Sequence, residues 1–415
     1  MKKYIMIFLG LIGIQISFAS KINEINSLAT ITVNSGEYER FDTPVSISLD
    51  AITSIYEDNL ILYEIIESTP IPVEFQISAG ETRYINWILT GITKPGKTRK
   101  FLLSEEKRAN FAKSMRIETK HSNYILFSNN KPVLQYNSGV VFPPAGTDQV
   151  FQRSGFIHPL FSPNNIVLTS IQPLDHLHHY GLFNPWTKTN FRGEEVDFWN
   201  LSKRQGRVSF GGLTSLNEGP VFTSLQALQE HIAWPDSPNE TIAMNELQEM
   251  KVYKRSDDKF LIELKIILNP VEDIKIEEYR YGGVTIRATP EWTKETSDFI
   301  TSRGLNRDQA EGERAEWCLV WGESSEGKAG ILMMGHSANF NHPEPLRVWP
   351  SDGNKGRGDV FINFNPAKNV DWLLKTGNSY LLRYRLIVFE GKLNENEANL
   401  LWNDFSNPPV ITWEK

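Results

Sequence analysis

Apolar and polar residues alternate with a period of two in short runs along this chain, and glycine, proline or asparagine breaks the runs before they grow long. Thr30–Val33, Val45–Leu49, Val73–Ile77, Phe260–Ile266 and Tyr380–Phe389 all show the pattern. Successive side chains of a strand point to opposite faces, so each such run buries one face and wets the other. Asn129-Asn130, between Tyr124–Phe127 and Val133–Tyr136, has the residues of a hairpin turn. Helical periodicity is nearly absent. The one good helix spans Glu395 to Phe405, with Asn394 as N-cap and Glu397 at the reciprocal capping-box position. The expectation is an all-β chain forming a large antiparallel β-sandwich with a short C-terminal helix.

Lys2-Lys3, an apolar run from Tyr4 to Ile16 and the small-residue exit Ser17-Phe18-Ala19 read as a secretory signal peptide over residues 1–19. The run is short for a bilayer-spanning helix, and no later segment reaches that length. The protein is therefore expected to be exported, to the periplasm or beyond, with no membrane span after signal removal. A single cysteine, Cys318, excludes an internal disulfide, so core burial has to hold the fold. The expected division is a strand set over residues 20–110, ending where Glu105–Arg108 breaks the strand rhythm, and a main sandwich over residues 111–415. Within it, residues 290–316 are polar and read as an excursion, partly helical. Net charge is −7 and no basic patch stands out, which speaks against nucleic acid as a partner.

Four of the eight histidines fall between residues 158 and 179. His158 precedes a proline and is biased to extended backbone, while Asp175-His176-Leu177-His178-His179-Tyr180 packs three imidazoles beside a carboxylate. If the second stretch is a strand, His176 and His178 share a face; if it is a helical turn, His176 and His179 do. Three readings stay open. In one, a histidine is the general base or acid, Asp175 orients it, and Tyr180 or a second histidine is its counterpart. In another, His176, His178 and His179 ligate a divalent metal. In the third, the polar groups only satisfy backbone in a crowded loop.

Trp186 and Trp199 flank the cluster, with Glu195 and Asp197 nearby and Arg153 upstream. Flat indole faces pack against the C–H side of a pyranose, and carboxylates or guanidinium groups bind its hydroxyl or acidic groups. A later set begins at Tyr281 and the double glycine Gly282-Gly283, whose flexibility serves a bulge or a close backbone approach to a ligand. Arg287 follows on a strand, as an anion-binding group or the buried partner of Glu313 or Glu316. His336 and Asn339 close an apolar run and read as polar groups delivered to a strand end.

The strings R-S-G-F-I-H-P-L-F-S-P (153–163), D-H-L-H-H-Y-G-L (175–182), V-D-F-W (196–199), G-G-V-T-I-R (282–287), A-E-W (315–317), H-S-A-N (336–339) and L-R-Y-R-L-I-V-F-E-G (382–391) carry a resemblance. In order and over nearly the whole mature chain, they resemble the bacterial family known as methane oxygenase PmoA. That name is a poor guide, since its namesake is an integral membrane subunit and the family is otherwise one of unknown function in polysaccharide-degrading bacteria. Leu177 stands where many relatives have proline. The resemblance implies carbohydrate work, and the sandwich is expected to resemble the galactose-mutarotase supersandwich. The expected ligand is an oligosaccharide or small sugar. The expected activity is cleavage or rearrangement by hydrolysis, elimination or epimerisation, with His158, Asp175, His176, His178, His179, Tyr180, Arg287 and His336 as the catalytic set. Arg153, Trp186, Glu195, Asp197, Trp199 and Asn339 would bind substrate. A non-catalytic glycan-binding protein and a metal-dependent oxygenase are the rival readings.

Overall fold

Strand alternation is visible in the burial of long strands such as Ser27–Asn34, Thr241–Tyr253 and Lys259–Pro270, whereas Gly327–Gly335 and Tyr380–Glu390 carry continuous buried runs. The computed structural model describes residues 26–415 except 79, 109–110 and 257, so the expected signal peptide lies outside the described residues. Two units form. The first comprises the chain up to Phe111 together with Pro408–Lys415, and the second runs from Ala112 to Asn407. Residues 408–415, grouped with the main domain in the sequence reading, thus return to the first unit.

In the first unit a five-stranded sheet is ordered Val410–Glu414, Ser27–Asn34, Thr98–Glu105, Leu60–Ile66 and Thr69–Pro72, and a three-stranded sheet is ordered Arg40–Ser48, Tyr84–Thr93 and Phe75–Ser78. Ala29, Ile31 and Val33 alternate inward along one strand and meet Phe75, Trp87 and Phe101 in one core.

Two eight-stranded sheets share the core of the second unit. One is ordered Gly206–Asn217, Phe222–Ala233, Thr241–Tyr253, Lys259–Pro270, Tyr380–Glu390, Gly327–Gly335, Trp317–Ser324 and Ser297–Thr301. Along it Phe260, Ile262, Leu264, Ile266 and Leu268 face inward with a strict period of two. The last strand, Ser297–Thr301, is a correction. Residues 290–316 hold no helix; Ser297, Phe299 and Thr301 alternate inward and pair this segment with Trp317–Ser324.

The other sheet carries the site. It is ordered Leu346–Val348, Phe361–Phe364, Thr285–Arg287, Leu182–Phe183, Phe156–Leu160, Lys131–Asn137, Asn123–Ser128 and Met115–Lys120. The hairpin at Asn129 joins two of these strands, with Asn129 in the left-handed region that asparagine tolerates (φ 54°). Register sets a row straight across the sheet: Val348, Ile362, Ile286, Leu182 and Ile157 are successive partners and all lie in the core. Each such apolar side chain contributes about 1.5–3 kcal/mol by burial. Alternation sends their neighbours Arg347, Phe361, Arg287, Phe183 and Phe156 to the opposite face.

The helix Glu395–Ser406 has the expected capping box, with Asn394 Oδ1 accepting from the Glu397 amide and Glu397 Oε2 from the Asn394 amide, both at 3.0 Å. Among the described residues no helix is long and apolar enough to cross a membrane.

Candidate active site

The histidine loop is clamped on both sides by the sheet. The Arg287 amide donates to the Gly181 carbonyl (2.8 Å), the Ser170 amide to the Arg287 carbonyl (3.0 Å), and the Gly181 amide to the Ser170 carbonyl (2.9 Å). Gly181 has to be glycine: its φ is +59°, and a Cβ there would lie 2.4 Å from the Ile157 carbonyl oxygen. Between these anchors the chain makes tight turns, with the His176 amide bonding to the Pro173 carbonyl and the His179 amide to the His176 carbonyl. Of the two geometries open in sequence, the turn is the one adopted. His176 and His179 stack at 4.7 Å and 22°, and His178 stands edge-on to both.

Aromatic rings extend the stack. His179 lies on Phe361 (5.0 Å, 27°), Phe361 on Trp349 (5.0 Å, 21°), and Trp349 returns to His176 at 4.8 Å. A cavity of about 230 Å³ opens beside them, lined by the three histidines with Trp199, Asn200, Arg280, Tyr281, Arg347, Trp349 and Phe361.

Electrostatics separate the three imidazoles. Asp175 Oδ2 pairs with His176 Nδ1 at 2.7 Å, which leaves Nε2 as the nitrogen free for a substrate. Arg287, buried, reaches the same Asp175 oxygen at 3.4 Å and Asp359 Oδ2 at 3.1 Å, and lies over the Trp349 ring at 4.6 Å. Burial alone would raise the Asp175 carboxyl, but the hydrogen bond with His176 and the Arg287 charge hold it below the usual value. Burial, helped by the neighbouring His176, pushes His178 down to about 4. Burial also lowers His179 well below the ordinary histidine range, and its Nδ1 has no hydrogen-bond partner among the described residues. Two neutral imidazoles thus stand beside one paired with a carboxylate.

The partners of Arg287 correct the sequence reading, which named Glu313 or Glu316. Glu316 instead accepts from Ser302, and its side of the chain meets the other sheet. For the metal reading, the Asp175 contact at His176 Nδ1 leaves Nε2 as the nitrogen that would ligate. No group of three or more His, Cys, Asp or Glu among the described residues is arranged to hold a metal ion.

Several other expected site residues lie elsewhere. His158 points its Nδ1 at Thr169 Oγ1 (2.9 Å), is lowered to about 4 by burial, and does not line the cavity. Tyr180 is enclosed, accepts from Gln172 Nε2 at 3.0 Å, and is raised to about 12 by burial. Arg153 lies under the site between the rings of Tyr180 and Phe183, at 5.6 and 5.4 Å. His336 caps its own strand end, Nδ1 accepting from the Ala338 amide at 3.0 Å with Phe405 packed edge-on. Asn339 binds Glu344 and the Arg383 backbone. Neither belongs to the cavity.

The tryptophans are also corrected. Trp186 is 0% exposed, in the sandwich core against Trp372, and has no face for a sugar. Trp199 lines the cavity but is only 1% exposed. Tyr281, half-buried beside it at 5.0 Å, offers more ring surface. Glu195 is an exposed partner of Lys203. Asp197 is buried and acts as a positioning residue: its Oδ1 accepts from the Trp199 and Asn200 amides (2.9 and 2.8 Å), and its Oδ2 from Asn200 Nδ2 (2.7 Å). The double glycine serves packing, because a Cβ on Gly283 would lie 2.8 Å from the Phe364 carbonyl oxygen.

Sequence reasoning missed Asn200, Arg280, Arg347, Trp349 and Phe361 as lining residues. Arg280 adjoins the Tyr281-Gly282-Gly283 signal, whereas Phe361 reaches the site because Phe361–Phe364 pairs with Thr285–Arg287, and Arg347 and Trp349 because Leu346–Val348 pairs in turn with Phe361–Phe364.

Fold and site together define an antiparallel β-sandwich protein with a histidine-rich, aromatic-walled pocket on the outer face of one sheet. The chain belongs to a family of unknown function (DUF6807), which matches residues 126–403. That description does not carry the oxygenase name. No curated protein sequence matches the chain. Among solved structures, a glycosyl hydrolase family 38 protein from Enterococcus faecalis is similar at 9% identity and TM-score 0.40, over 95% of this chain and 49% of that one. A galactose mutarotase related enzyme from Lactobacillus acidophilus is similar at 10% identity and TM-score 0.32, over 67% of this chain and 100% of that one. A heparan sulfate lyase from Pedobacter heparinus is similar at 8% identity and TM-score 0.28, over 70% of this chain and 38% of that one. The chain spans about half the length of the family 38 protein.

Proposed function

We propose that the protein is an exported carbohydrate-active enzyme that cleaves or rearranges an oligosaccharide by acid–base chemistry at the histidine pocket. One observation carries the reading: a carboxylate-oriented imidazole, His176, stands beside a second, His178, that burial keeps neutral, in a cavity walled by aromatic rings. His176 accepts a proton at Nε2, and Asp175, itself anchored by Arg287, stabilises the imidazolium that forms. His178 hydrogen-bonds a sugar hydroxyl. Tyr281 supplies the ring face and Asn200 a polar contact. Export rests on residues 1–19, and the N-terminal mass of protein recovered from fractionated cells tests it.

The experiment is turnover of an oligosaccharide panel, read as new reducing ends for hydrolysis, unsaturated ends by ultraviolet absorbance for elimination, and changed stereocentres by NMR for epimerisation. His176→Ala and His178→Ala, folded by circular dichroism, should each lose about a hundredfold or more in rate. Full turnover in both variants would refute the mechanism. The aromatic wall also suits plain glycan binding, and a glycan bound yet unchanged after long incubation would favour that reading.

A further inference from the structure

Building on that reading, we propose that the substrate is an acidic saccharide whose carboxylate or sulfate sits between Arg280 and Arg347. The ten residues lining the cavity include two arginines and no Asp or Glu. Arg280 is exposed at the cavity, lies only over the Tyr281 ring at 5.2 Å, and has no ion pair or side-chain hydrogen bond among the described residues. Arg347 meets Glu311 at 3.1 Å, but that carboxylate is shared with Lys368 at 2.8 Å, and Lys368 Nζ also donates to the Arg280 carbonyl at 3.0 Å. Two cations, Arg347 and Lys368, therefore share one carboxylate, and Arg280 adds a third positive charge at the cavity with no carboxylate of its own among the described residues.

The nearest other carboxylates do not offset this excess. Asp175 is engaged by His176 and Arg287, and Asp197 by two amides, Asn200 and Lys203. The chain as a whole carries −7, so a pocket of the opposite sign needs a reason. A neutral sugar hydroxyl accepts a single N–H bond and leaves the guanidinium charge uncompensated, whereas an oxyanion accepts two parallel N–H bonds from one arginine and neutralises it. The anion would dock at the arginine side while the imidazoles address the ring atoms next to it.

The test is an array of neutral, uronate-bearing and sulfated oligosaccharides probed with the wild-type protein and Arg280→Gln, followed by titration calorimetry at low and high sodium chloride. Acidic glycans should bind at least tenfold more tightly than their neutral counterparts, and affinity should fall with salt. Arg280→Gln, an exposed change, should lose tenfold or more on acidic glycans and at most a few-fold on neutral ones, and Arg347→Gln should do the same. The uronate and sulfate arms identify the oxyanion. If neutral glycans bind as well as acidic ones, or Arg280→Gln binds acidic ones undiminished, this proposal falls and the carbohydrate reading stands. If neither class binds, both fall.

Discussion

Removing the Arg287 guanidinium should destabilise the second unit sharply, because it compensates a carboxylate that has almost no water. The Arg287 and Asp359 side chains are 4% and 3% exposed and meet at 3.1 Å. Arg287→Met keeps the apolar stem's volume and removes the charge. Breaking a buried pair from one side costs about 3–5 kcal/mol, since the remaining charge stays buried. Asp359 retains Arg357 at 3.1 Å, a partner that is 53% exposed, which places the pair loss at the lower end, about 3 kcal/mol. Loss of the contact with the Trp349 ring adds about 1 kcal/mol. With a urea dependence of about 3 kcal/mol per molar for a chain of this size, the midpoint should move down by about 1 M. Equilibrium urea unfolding followed by tryptophan fluorescence measures it. The double variant Arg287→Met/Asp359→Asn should recover about half of the loss, because the orphaned charge is gone. A midpoint shift below about a third of the expected value, or a double variant no more stable than the single, would refute the compensated-charge argument.

Four further outcomes follow from the structure. His158, His178 and His336 are each lowered to about 4, so the unfolded chain binds protons that the folded chain refuses; urea stability should therefore be full above about pH 6.5, fall as pH drops from there to about 4, and fall less steeply in His158→Gln. For the same reason the acid limb of a pH–rate profile governed by His178 should break near pH 4, and a break near 6.5 would assign that limb to another group. Trp186→Ala should cost about 3–5 kcal/mol in unfolding while leaving glycan affinity of the folded protein unchanged, whereas lost affinity at full stability would restore the platform reading. Gly330→Ala should cost about 1–3 kcal/mol by calorimetric melting, since the added Cβ would lie 2.2 Å from Cζ of the fully buried Phe389 ring.

The strands were legible where one face is wet. Thr30–Val33 and Phe260–Ile266 announced themselves by alternation, and the capping box by Asn394 and Glu397, because those signals are local. The segment 290–316 was misread because Ser297-Asp298-Phe299-Ile300-Thr301 buries serine and threonine on its inward face, which period-two counting scores as polar. At the site, the histidine loop was visible as composition, yet its partners were not. Asp359 lies 72 residues beyond Arg287 and reaches it only because Phe361–Phe364 pairs with Thr285–Arg287. Register between distant strands is not written in either strand alone. Trp186 and Trp199, identical in type and close in sequence, differ in that one faces the sandwich core and the other the outer cluster, a distinction that only the closed sheet makes.

The strand Val410–Glu414 pairs with Ser27–Asn34, so the second unit is topologically an insertion into the first. During synthesis, the ribosome must make all of residues 112–407 before the outer neighbour of Ser27–Asn34 exists. Until then that strand presents a row of unpaired amides and carbonyls, a template for any other extended chain. The open edge of Ser27–Asn34 is accordingly an aggregation hazard that the pairing of Val410–Glu414 removes.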